Sequence, residues 1–231
     1  MALTINAAHN EKTGDVSYGV TVPIAILLLA IGIVGFFLLQ RSIATHQGAA
    51  HLDMPVLQWM VDHRNTLLTT VMQIITNAFS PVVAGIGSIL IAVIWAMRKR
   101  ELWRPMLFLG GIGIAALVST YLKHAFHRTR PPVAMMVPSA ETDFSFPSGH
   151  TLGIAIIVFL LTYLVCSRAH KLWKTLLWLL LSVIAIVIVA YSRLYLGYHW
   201  ITDVSASVCL AFVLTAAIML IDGLPALFRR R

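Results

Sequence analysis

Six apolar runs, each long enough to cross a lipid bilayer, constrain this chain more than anything else in it. They fall at about residues 19–40, 81–97, 105–122, 149–166, 172–191 and 201–221. A hydrocarbon layer about 30 Å thick takes roughly 20 apolar residues of helix to cross. Inside it, every backbone N–H and C=O must find a partner within its own segment, which favours helices over open strands. Only 11% of the residues are charged, against about 25% in a soluble globular domain. The sequence therefore predicts an all-α, polytopic membrane protein, a bundle of six transmembrane helices. It has no internal repeat and no low-complexity segment, so residues 1–231 read as a single membrane-embedded domain.

The stretch 42–78 is too polar to span. Within it, Asp53 is placed to cap a helix carrying Pro55 in its first turn, followed at helical spacing by Leu52, Val56, Trp59, Met60 and His63. The next piece, 66–78, sets Leu67, Val71, Ile74, Ile75 and Ala78 on one side and Thr70, Gln73 and Asn77 on the other. Such an amphipathic segment either lies in the membrane interface over a site mouth or serves as a packed connector. In the third span, Gly110, Gly111, Gly113 and Ala115 offer a small-residue surface for close helix packing.

The net charge of +8 is divided into short clusters between the apolar runs. That pattern fits orientation in a bilayer and gives no nucleic-acid footprint. With six spans, the side holding both termini carries Lys12, Arg98, Lys99, Arg100, Arg104, Arg168, Lys171, Lys174 and Arg229 to Arg231, eleven cations. The other side carries Arg41, Arg64, Lys123, Arg128, Arg130 and Arg193, six cations. Both termini are thus expected in the cytoplasm of a plasma (inner) membrane protein, with the second side periplasmic or extracytoplasmic. The N-terminus, with Glu11, Lys12 and Asp15, lacks a cleavage pattern, so the first run is expected to be a retained helix. Cys166 and Cys209 both fall inside apolar runs and read as small core residues, with no disulfide or metal framework.

Three polar segments fall on the cation-poor side. Residues 192–203 hold Arg193, His199 and Asp203; if the sixth helix begins near Trp200, His199 and Asp203 stand four residues apart on one face. A carboxylate there takes one imidazole N–H and leaves the other nitrogen free to attack. By itself the stretch also reads as a polar loop capping two helices. The segment 123–132 gathers Lys123, His124, His127, Arg128 and Arg130, either as contacts to lipid headgroups or as a clamp for phosphate oxygens. At 144–151, Ser148, Gly149 and His150 open the fourth span. A helix start presents unpaired N–H groups, and glycine lets an anion come close. Together these segments supply three cations, a helix N-terminus, and two histidines suited to nucleophile and general-acid roles. There is no dense carboxylate cluster for two divalent ions, so the expected reaction is metal-independent, and no cofactor is implied.

Lys123-x6-Arg130-Pro131, then Pro147-Ser148-Gly149-His150, then Ser192-Arg193-x5-His199-x3-Asp203 resemble the three-part signature of the type 2 phosphatidic acid phosphatase superfamily. All parts are present in order, and the six-span layout is similar to the membrane-bound branch. The resemblance implies that His199 attacks phosphorus to form a phosphohistidine, that Asp203 orients His199, and that His150 protonates the leaving oxygen. It implies that Lys123, Arg130, Ser148, Gly149 and Arg193 bind the phosphate, with Ser192 in a supporting role. His124, His127 and Arg128 lie outside the signature and read as local or headgroup contacts. The implied substrates are lipid phosphate monoesters or diphosphates: phosphatidic acid, phosphatidylglycerol phosphate, diacylglycerol pyrophosphate or undecaprenyl diphosphate. Transfer of the phosphoryl group to an acceptor hydroxyl is an alternative within the same chemistry, and a non-catalytic lipid-binding or transport protein is one outside it. Haloperoxidases share the signature, but the known ones are soluble, and six apolar spans argue against that branch.

Overall fold

The computed structural model describes residues 18–138, 141–167 and 171–229, with side chains from residue 21 to residue 223. The N-terminal residues Glu11, Lys12 and Asp15, together with Arg168, Arg230 and Arg231, lie outside the described residues. Eight α-helices and no strand are found among those described: α1 (Tyr18–Thr45), α2 (Asp53–Asp62), α3 (Thr66–Ala78), α4 (Pro81–Lys99), α5 (Trp103–Phe126), α6 (Gly149–Cys166), α7 (Leu172–Tyr195) and α8 (Ile201–Arg229). Six of them, α1 and α4 to α8, are long and apolar enough to cross a membrane. α2 and α3 are the two short helices expected between the first and second spans. This is a membrane protein with several spans.

The bundle is arranged around α6, which touches α4, α5, α7 and α8. Leu152, Ile156 and Leu160 of α6 are buried with Phe108 of α5 at its centre. α1 and α4 instead expose Ile26, Phe37, Ile86 and Leu90. An apolar side chain turned outward on a spanning helix meets lipid tails and needs no cover. α1 lies along α8, and the closeness is set by Gly32 and Gly35. An ideal Cβ at Gly32 would stand 2.6 Å from the backbone oxygen of Cys209, and one at Gly35 would stand 2.7 Å from its Sγ. Of the small residues in α5, Gly111 alone among its glycines faces a neighbour, Leu160, while Gly110 and Gly113 have open space beside them. The small-residue surface is therefore narrower than the composition of that run predicts.

At the end of the bundle formed by the starts of α5 and the ends of α6 and α8, Asp222 accepts hydrogen bonds from Trp103 Nε1 (2.9 Å) and Tyr163 Oη (2.9 Å). Buried Arg104 bonds the carbonyl of Leu164 and pairs with Asp222 at 3.5 Å. Arg104 is thus part of a neutralised cluster inside α5, not a free loop charge. Thr162 and Ser182 bridge α6 to α7 at 2.8 Å.

Two details of the short helices α2 and α3 differ from the sequence expectation. α3 turns Thr76 and Met72 inward, with Leu68 and Ile75 partly buried, and leaves Leu67, Val71 and Ile74 exposed. The face turned inward is a mixed one: Met72, Leu68 and Ile75 join the cluster that holds Leu194 and Tyr195, and Thr76 accepts from Arg193. Asp53 does not cap its own helix: Leu52 holds that position with no side-chain cap. Its carboxylate is spent elsewhere, as described below.

Candidate active site

The ends of α5 and α7 and the starts of α6 and α8 meet at one end of the bundle. α5 and α7 run further than their apolar stretches, so Lys123 and Arg193 occupy the last turns of helices, not loops. Arg193 is fully buried, its guanidinium lying 4.7 Å from the Tyr198 ring centre and donating to Thr76 Oγ1 of α3 at 2.7 Å. Gly197, at φ +77°, turns the chain between α7 and His199, and a Cβ there would strike the Met135 carbonyl oxygen.

His199 is 2% exposed. Its Nδ1 lies 3.4 Å from Asp203 Oδ2. On the other side of the ring, Arg130 Nη1 stands 3.3 Å from Nε2 and also donates to the Tyr198 carbonyl at 2.6 Å. The two side chains thus face each other across one helical turn, with α8 starting at Ile201, although Nδ1 makes no hydrogen bond at this separation. Asp203 belongs to the first turn of α8 and accepts from the Trp200 N–H at 3.0 Å. An acidic residue at this position satisfies an otherwise unpaired donor of the helix start. Burial pushes the His199 imidazole well below its ordinary pKa of 6.5, reinforced by the positive fields of Arg193 and Arg130 against the opposing pull of Glu141. The ring is held neutral, as an attacking nitrogen requires.

Lys123, Arg130 and Arg193 converge on two carboxylates of the loop before α6. Lys123 Nζ bonds Asp143 Oδ2 (2.6 Å) and the Phe144 carbonyl (2.6 Å). Arg130 pairs with Asp143 and with Glu141 Oε2 (2.8 Å), and Arg193 pairs with the other oxygen of Glu141. Burial alone would raise the pKa of both carboxyls, yet their cation partners outweigh it and hold both below the ordinary range. The carboxylate oxygens mark where this cluster receives anionic oxygen.

Ser148 precedes α6 and is fully buried, its N–H donating to Ser207 Oγ at 2.9 Å while its hydroxyl accepts from Thr151 at 3.1 Å. Gly149 lines a groove of about 350 Å³ between α4, α5 and α6, alongside Lys123, Asp143 and Phe144. His150 is half-buried in the first turn of α6, within the electrostatic reach of the same Arg193, Glu141, Arg130 and Lys123 that act on His199. All eight residues singled out by the sequence thus sit at one end of the bundle. Ser192 is buried and bonds the Val189 carbonyl at 2.7 Å. His124 and His127 pack edge-on against Phe144, at 5.8 and 4.5 Å between ring centres.

Arg128 departs from the headgroup contact expected of it. Its Nη1 bonds Asp203 Oδ1 and Thr202 Oγ1 (2.8 Å), and its Nη2 bonds Asp53 Oδ2 (2.5 Å). Asp53 in turn accepts from the Thr202 N–H at 3.1 Å, capping α8 across the bundle. The sequence signal for this pair was weak: an acid in an apolar short helix and one cation more than a phosphate site needs.

The PAP2 superfamily profile matches residues 104–224, which include every signature position. Phosphatidylglycerophosphatase B of Bacillus subtilis (strain 168) is 33% identical over 134 residues, covering 57% of this chain and 64% of that protein. Undecaprenyl-diphosphatase BcrC of the same organism is 30% identical over 160 residues, covering 67% of this chain and 75% of that protein. The chain thus spans somewhat under two thirds of the first relative's length. The crystal structure of a transmembrane PAP2-type phosphatidylglycerolphosphate phosphatase from Bacillus subtilis superposes with a TM-score of 0.68 at 25% identity, covering 86% of this chain and 96% of that one. With more than half of its residues inside the profile, and its three motifs folded into one end of a six-span bundle, the chain belongs to the PAP2 superfamily.

Proposed function

We propose that the protein is a membrane lipid phosphatase, a single domain hydrolysing lipid phosphate monoesters or diphosphates without a metal ion. The observation that carries this is that Lys123, Arg130 and Arg193 converge on the two carboxylates Glu141 and Asp143, with Arg130 bonding both and its Nη1 3.3 Å from Nε2 of His199. A phosphoryl group held by these cations presents its phosphorus to the neutral nitrogen.

His199 Nε2 attacks phosphorus, and the bond from phosphorus to the lipid oxygen breaks as His150 gives that oxygen its proton. Asp203 holds the Nδ1–H and stabilises the imidazolium. Water then loses a proton to His150 and attacks the phosphohistidine; the N–P bond breaks and inorganic phosphate leaves. A monoester yields a lipid alcohol, and a diphosphate yields a lipid monophosphate. Lys123, Arg130, Arg193, the Ser148 hydroxyl and the Gly149 N–H bind the oxygens more strongly as negative charge builds on them.

The groove beside Lys123 and Gly149 is walled by Ala84, Ile112, Ala115, Leu152 and Ile157, surfaces suited to an acyl or prenyl tail running into the bilayer. This supports lipid substrates of the class formed by phosphatidic acid, phosphatidylglycerol phosphate, diacylglycerol pyrophosphate and undecaprenyl diphosphate. The eleven-to-six distribution of cations supports cytoplasmic termini and an extracytoplasmic site at the plasma membrane. Labelling of Thr142→Cys from outside intact cells checks that orientation. The activity is tested by phosphate release from a panel of lipid phosphates in detergent, with His199→Ala as the blank. Release from at least one lipid, absent in the blank, is expected; binding without any release would point to a non-catalytic lipid-binding protein.

A further inference from the structure

Arg128, at this same end of the bundle, turns away from the anion position. Its side chain is 13% exposed, and its partners are Asp53, Thr202 and Asp203, with the Trp200 ring centre 5.9 Å from the guanidinium carbon. Lys123, Arg130 and Arg193 all reach Glu141 or Asp143. Arg128 bonds neither of these. It joins three parts of the chain: the short outer helix α2 through Asp53, the loop after α5, and the first turn of α8 through Asp203.

Asp203 needs that junction for two physical reasons. It is fully buried, and a buried carboxylate stays charged only with a fixed positive partner. Its Oδ2 accepts from the Trp200 N–H at 3.0 Å and stands 3.4 Å from His199 Nδ1, which makes no hydrogen bond of its own, so rotation of the carboxylate would carry it out of reach of the imidazole. Arg128 on Oδ1 and Trp200 on Oδ2 together fix its plane. Asp53 then fixes Arg128. It accepts from Nη2 at 2.5 Å and holds the Thr202 N–H and hydroxyl, at 3.1 and 2.9 Å, through Oδ1. By sharing the guanidinium between two carboxylates, Asp53 also keeps Arg128 from cancelling the whole charge of Asp203, and that charge is what stabilises an imidazolium at His199. The charged groups facing His199 from the other elements are Arg130, Arg193, Glu141 and Lys123, none of which bonds Arg128.

The geometry points to Asp53 and Arg128 as positioning residues for the reaction: they set Asp203, and through it the tautomer and orientation of His199. This rests on the phosphatase reading above, and it makes the outer helix α2 part of the reaction's machinery.

The test compares Asp53→Asn, Arg128→Gln, Arg128→Lys and the Asp53→Asn/Arg128→Gln double variant with wild type in one detergent. For each, kcat, KM, inhibition by inorganic phosphate as a probe of the anion position, and the melting midpoint are measured. Arg128→Gln is expected to lower kcat by about ten- to a hundredfold, the range for outer partners that orient an imidazole. KM and inhibition by inorganic phosphate should stay within about twofold, because neither residue touches the anion position. Arg128→Lys, which keeps charge but loses the fork, should recover part of kcat, and the double variant should be no slower than Arg128→Gln alone. Near-isosteric Asp53→Asn should lose kcat without losing its melting midpoint. Wild-type kinetics in the variants, a rise in KM at unchanged kcat, or losses of kcat seen only where melting also falls would each overturn the inference. If wild type released no phosphate from any lipid, the phosphatase reading would fail by itself. The His199 tautomer, read by nitrogen-15 NMR and identified by its absence in His199→Ala, still decides the positioning role. A tautomer preference unchanged by Arg128→Gln would rule it out, and one weakened by it would uphold it.

Discussion

Arg130 Nη1 and His199 Nε2 stand 3.3 Å apart, so a cation placed to bind phosphate also donates towards the nitrogen placed to attack it. That contact exists only while Nε2 is unprotonated. Burial first, and then Arg193 and Arg130, lower the His199 pKa well below 6.5. The sign follows directly: a depressed pKa keeps the imidazole neutral as the pH falls past 6.5, and activity is lost only on further acidification. The acid limb of kcat/KM in the free enzyme is expected below pH 6.5, and Arg130→Gln should move it upward. A pH profile of wild type with its limb at or above 6.5 contradicts this.

Glu141 holds one oxygen on Arg193 and the other on Arg130, the places where phosphate oxygens are expected. Its removal frees Arg193 of its carboxylate and leaves Arg130 paired with Asp143 alone, opening both to an incoming anion. Glu141→Gln should therefore strengthen inhibition by inorganic phosphate about three- to tenfold, roughly 1 kcal/mol for a partly exposed competing pair. Inhibition constants for the two proteins under identical salt check it; weaker inhibition in the variant would mean that Glu141 helps the anion bind.

Two glycines of similar appearance should differ in stability. A Cβ at Gly32 would meet the backbone oxygen of Cys209 at 2.6 Å, whereas one at Gly111 would meet Cδ1 of Leu160, the movable end of a side chain, at the same distance. Gly32→Ala should destabilise the bundle by about 1–3 kcal/mol, and Gly111→Ala by less. Melting midpoints in detergent distinguish them.

The spans were legible because a bilayer demands long apolar runs, and six such runs lie where six helices lie. Their ends were less so. Lys123 and Arg193 look like loop residues in the sequence, yet both sit in last helical turns, where a buried anion site gives polar side chains a place to point. α3 shows the same effect: Thr76 looks like one more polar residue, but it is buried against Arg193, on a face it shares with Leu68 and Met72. His199 and Asp203 were legible through local spacing. Asp53, Arg128 and Asp203 were not, because each is separated from the next by 75 residues of chain and no periodicity connects them.

The central claim is that His199 carries the phosphoryl group, and rapid quench with a radiolabelled lipid phosphate tests it most directly. Wild type should yield labelled protein that is stable in alkali and labile in acid, as a phosphohistidine is. His199→Ala should yield none and lose turnover by at least about a thousandfold. Label of the same kind in His199→Ala, or turnover there close to wild type, would contradict the account.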